Sequence, residues 1–212
     1  MKARSLALGV LLGVLAWPQP AESHRLDEYL QATRLAFSRD RVVVELDLTP
    51  GVSVAPQVFA LIDRDGDARV SAVEIAAYGQ RVLQDLSLRI DGHVSSLTLV
   101  RAESPSWDEI REGLGTIRLE ASAAAPLATH GRHRVVYDNA HQPAIGVYLV
   151  NALTPSVTDM TIGPPRRDML QRSIDLDVDV TTRFATASWC ILMVGALAAL
   201  VIVRQRTAAR TD

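Results

Sequence analysis

From Tyr29 onward, apolar and polar residues alternate, the period of half-buried strands. Leu35 and Phe37 alternate with Arg34 and Ala36. Val42, Val44, Leu46 and Leu48 then face one way, and Val43, Glu45 and Asp47 the other. Arg39-Asp40 reads as the tight turn between these runs, and Thr49-Pro50-Gly51 ends the second. There the period changes. Pro56 opens a short helix over 56–62, because proline is tolerated in a first helical turn. Ile75, Tyr78, Val82, Leu83 and Leu86 recur at helical spacing across 71–86. Strand patterning resumes with Leu86, Leu88 and Ile90. Asp91-Gly92 is a hairpin signal, with Leu97 and Leu99 expected on the return strand. Ser106-Trp107-Asp108-Glu109 starts another helix with a capping box, stopped by Gly113 and Gly115. Further strands are expected at Ile117–Ala121, at His133–Tyr137, and at Ile145–Val150, the last read as buried on both faces. A proline-rich connection over 155–165 leads to a final strand with Ile174, Leu176, Val178 and Val180 on one face. About eight strands separated by turn signals predict a mainly β fold. The expected architecture is an antiparallel, immunoglobulin-like β-sandwich with a helix–loop–helix inserted at 55–86.

Both ends depart from this pattern. Met1-Lys2-Ala3-Arg4 is basic, Leu6 to Trp17 is apolar, and Pro18 and Pro20 precede Ala21-Glu22-Ser23. That layout predicts a secretory signal peptide over 1–23. Residues 185–203 carry no charge, close to the length of about 20 apolar residues that crosses a bilayer. Arg183 precedes them, and Arg204, Arg206 and Arg210 follow, which predicts a cytoplasmic tail over 204–212. The expected topology is an exported domain over 24–183 tethered to the bacterial inner membrane by a single helix, with the domain in the periplasm.

Composition sharpens this little. The formal net charge of −2 argues against a nucleic-acid partner. The one cysteine, Cys190, lies inside the apolar segment, so the exported part has no disulfide.

The strongest chemical signal is the loop from Asp63 to Glu74. With Asp63 as position 1, oxygen-bearing side chains fall at positions 1, 3, 5, 9 and 12: Asp63, Asp65, Asp67, Ser71 and Glu74. Arg69, at position 7, would offer its backbone carbonyl. This is the spacing of an EF-hand calcium loop, which wraps a hard cation in about 6–8 oxygens. Ser71 and Glu74 also satisfy the capping-box spacing of the second helix. Position 6, where the backbone takes a positive φ and glycine is usual, is Ala68. With one unpaired loop and that alanine, the expected Ca²⁺ site is weak, in the range of about 10⁻⁴–10⁻³ M. Asp175, Asp177 and Asp179 alternate with apolar residues and read as a strand with carboxylates on its wet face. A second reading uses His24, the mature N-terminus after cleavage at Ser23, with His141 as a partner, to bind nickel, cobalt or copper. No catalytic constellation is visible, so no enzyme activity is expected.

Five segments carry a family resemblance: His24–Thr33, Leu46–Val52, Arg81–Leu88, Glu112–Gly115 and Tyr148–Leu153. They resemble an uncharacterised bacterial family of exported, EF-hand-containing proteins. They are also similar to the periplasmic N-terminal domain of HupE/UreJ-like nickel/cobalt transporters. The resemblance implies a calcium-binding module beside the membrane, with a membrane transporter or another envelope protein as its partner.

Overall fold

The computed structural model describes residues 27–181. The expected signal peptide, His24, the apolar stretch 185–203 and the tail after it lie outside them. In chain order the elements are β1 (Tyr29–Phe37), β2 (Arg41–Pro50), α1 (Ala55–Ile62), α2 (Ala72–Gln84), β3 (Leu86–Ile90), β4 (His93–Val94), β5 (Thr98–Glu103), α3 (Trp107–Arg111), β6 (Ile117–Ala124), β7 (Gly131–Asn139), β8 (Gly146–Ala152), β9 (Met160–Ile162), β10 (Arg166–Arg167) and β11 (Ser173–Val180). The fold is mainly β, as the alternation predicts.

The strands form two sheets. One runs β5-β6-β2-β1-β8, the other β10-β11-β7-β3-β4 with β9 beside β11. All pairings are antiparallel except β1 with β8, which run parallel with Tyr29 opposite Gly146 and Leu35 opposite Ala152. Inward residues of both sheets share one core: Leu35, Val44 and Leu46 from the first, and Leu88, Tyr137 and Leu176 from the second. Burial alternates strictly along β1, β2 and β11, because successive side chains of a strand point to opposite faces.

The outward faces are laced by ion pairs. Arg34 bridges Glu45 and Asp47. On β11, Asp175 accepts from Arg134 and Arg166, and Asp179 from Arg132. The alternating acids of β11 therefore lie along a strand, as expected, and face arginines.

Two strands differ from expectation. The hairpin at Asp91-Gly92, with φ of 51° and 83°, returns only through His93 and Val94. Leu99 instead lies on β5, in the other sheet, paired with β6. The reason is α2: Gly79 lets that helix approach so closely that a Cβ there would sit 2.9 Å from Leu99 Cδ2. Leu99 thus finds its burial beneath the helix. The second difference is β8. It is an edge strand, with Val147 37% and Leu149 40% exposed, and is not buried on both faces.

Candidate metal centre

The helix–loop–helix is built as its sequence dictates. α1 begins with proline in its first turn and buries Ala55, Val58, Phe59 and Ile62. α2 is capped by Ser71 and buries Ile75, Tyr78, Gly79, Val82 and Leu83. Phe59 of α1 stacks on Trp107 of α3, with ring centroids 4.0 Å apart. Val70, near the end of the loop, packs against both this small cluster and the main core.

Between the helices, the ligand atoms of Asp63, Asp65 and Asp67 lie within 4.8 Å of one another. Among the described residues no other group of three His, Cys, Asp or Glu side chains gathers this closely. The loop's own amides hold the aspartates in place. Asp63 accepts from the N–H groups of Gly66 (2.8 Å) and Ala68 (3.0 Å), Asp65 from Asp67 (3.2 Å), and Asp67 from Arg69 (2.8 Å). Ala68 has φ 61°, the left-handed conformation that the spacing assigns to its position. Asp65 and Asp67 are exposed, so an ion can reach them from solvent.

Glu74 and Ser71 are placed differently. Glu74 is 9% exposed and its carboxylate is turned to the helix start. Its Oε2 accepts from the Ser71 N–H (3.0 Å) and hydroxyl (2.7 Å), and its Oε1 from the Arg64 N–H (2.7 Å). The Ser71 and Arg64 donors hold its pKa down at about 2. The capping box therefore forms, and Glu74 lies outside the aspartate cluster. The Arg69 side chain is exposed, as befits a residue expected to offer only its carbonyl.

The chain is similar to no protein-family model and to no curated protein. The chemistry of the site thus rests on its donors. Three carboxylates and no nitrogen or sulfur ligand suit a hard cation. No helix among the described residues is long and apolar enough to cross a membrane.

His141 lies elsewhere, in a buried polar chain that periodicity alone does not reveal. It is fully buried. Its Nδ1 meets Asp85 Oδ2 at 2.7 Å, and its Nε2 meets the Tyr78 hydroxyl at 3.0 Å. The Tyr78 hydroxyl in turn meets that of Tyr29 at 2.7 Å. Burial pushes the imidazole pKa down, against the opposing pull of Asp85. A neutral ring satisfies this geometry: Nδ1–H donates to Asp85, Nε2 accepts from Tyr78, and Tyr78 accepts from Tyr29. The His141 carbonyl accepts from Gln31 and Tyr148, and Asn139 donates to Gln31. Both ring nitrogens are thus engaged within the protein, and His24 lies outside the described residues. The sequence signal for this network is Gln31, a polar residue at an inward position of β1.

Proposed function

We propose that the chain is a calcium-binding module of the EF-hand type, built into an immunoglobulin-like β-sandwich. The observation that carries this reading is the aspartate cluster, fixed by four backbone amides around a left-handed Ala68. Asp63, Asp65 and Asp67 are the side-chain ligands. Glu74 joins them only by exchanging its helix-cap bonds for the ion, which keeps affinity low. The sequence features at the two ends and the family resemblance support placing the module in the periplasm, on a single-pass membrane anchor. There it serves as a structural or interaction partner of a membrane transporter or another envelope protein.

Titration calorimetry of the full-length chain with CaCl₂ tests the binding step. A dissociation constant of about 10⁻⁴–10⁻³ M is expected, with loss of the signal in Asp65→Asn/Asp67→Asn. Absence of calcium heat at millimolar concentration in the wild type sinks the reading.

A further inference from the structure

His133, at the start of β7, presents a protonation pattern opposite to that of His141. It is 7% exposed. Its Nδ1 lies 2.8 Å from Asp91 Oδ2. Its Nε2 lies 3.1 Å from the Thr129 carbonyl and 3.2 Å from the Thr129 hydroxyl, which spends its own proton on the Pro126 carbonyl. A carboxylate and a carbonyl can only accept, so both ring nitrogens must carry protons to make these bonds.

The two partners belong to different parts of the fold. Asp91 is the first turn residue of the β3–β4 hairpin, and its other oxygen accepts from the Arg134 N–H. Thr129 lies on the crossover between β6 and β7, which carries the chain from the first sheet to the second and buries Leu127 in the core. The crossover joins β7 at Gly131, which pairs with Val180 at the end of β11. We propose that His133 is a pH-dependent latch that clamps this crossover onto the β3–β4 hairpin in its doubly protonated form and holds it less firmly once Nε2 loses its proton.

Among the described residues, no charged group other than Asp91 bonds the ring. His93, on the same hairpin, is exposed. Arg134 contributes its backbone N–H to Asp91 and directs its side chain to Asp175. Opposite His133 on β11 stands Val178, and the neighbouring Asp177 and Asp179 occupy the other face of that strand. His130, beside Thr129, is exposed. After deprotonation the Thr129 hydroxyl can turn its proton toward Nε2, but the Thr129 carbonyl then has no donor from the ring.

The hydrogen bond to Asp91 pulls the His133 pKa above its ordinary 6.5, against the effect of burial. A group raised in the folded state stabilises fully below that ordinary value, and the contribution is lost as pH rises through the folded pKa. The test uses ¹⁵N-histidine NMR of the full-length chain, with His133 assigned through His133→Gln, alongside amide hydrogen exchange from pH 6 to 9. The expected result is a doubly protonated His133 at pH 6.5. Above its midpoint, exchange of the Ala125 N–H, which bonds the Asp40 carbonyl where the crossover leaves β6, corrected for intrinsic rate, should accelerate roughly fivefold, the fold-change of one net hydrogen bond. Thr129→Val, which removes the compensating hydroxyl, should enlarge the step. A neutral His133 at pH 6.5, or exchange at the Ala125 N–H that ignores its titration in both proteins, overturns the proposal.

Discussion

Ala68 sits where the chain turns back on Asp63, with φ 61°. For a residue with a Cβ, that conformation costs about 1–2 kcal/mol. The Ala68 N–H bond to Asp63 partly offsets it. Ala68→Gly removes the strain but gives the unfolded chain more freedom, a cost of about 0.4–1 kcal/mol. The net expectation is a stabilisation of about 0–1.6 kcal/mol, read as a rise in the urea midpoint at unchanged slope. Ala68→Val, β-branched at positive φ, should move the midpoint the other way. The position of this residue was legible from loop spacing. The three-dimensional fate of Glu74 was not, because one spacing encodes both a loop ligand and a helix cap. Only the placement of its donors, Ser71 and Arg64, separates the two.

The second helix, α2, ties its two ends to different chemistry. At its start, Ser71 and Glu74 close the capping box. Glu74 has a folded pKa of about 2 against an ordinary 4.5. A depressed carboxylate stabilises above its unfolded value, and the contribution is lost as pH falls through the folded one. Glu74→Gln should therefore flatten the pH dependence of α2 stability between about 4.5 and 2, measured by circular dichroism during acid titration. At the other end of the helix, Asp85 holds His141. Helix existence was readable from the spacing of Ile75, Tyr78, Val82 and Leu83. The approach of α2 to Leu99 at Gly79 was not, since a glycine carries no hydrophobic signal of its own. The apolar spacing of Leu97 and Leu99 likewise points to a return strand there, whereas the hairpin returns through the two-residue β4.

Across the whole molecule, the inward faces of β1, β2, β6 and β11 were legible because each is half-buried and alternates cleanly. β8 was not: its apolar run reads as buried on both faces, yet it closes the sheet as an edge. Sequence periodicity reports hydrophobicity, whereas edge or centre depends on partners distant in the chain. Tyr78 binds these distant parts together, touching Tyr29 on β1 and His141 beyond β7. Tyr78→Phe leaves a buried hydroxyl and a buried imidazole nitrogen short of a partner. It should cost about 1–3 kcal/mol in global unfolding, measured by urea denaturation, and Tyr29→Phe added to it should cost less than in the wild type. The parallel pairing of β1 with β8 carries a different consequence, for the order of assembly. Tyr29 meets Gly146, so the first sheet cannot close until most of the chain is present. Such non-local pairing raises contact order and slows folding. Until β8 arrives, the waiting edge of β1 is an adhesive surface, open to any other extended segment. A chain of this topology is most vulnerable to aggregation while it is being made.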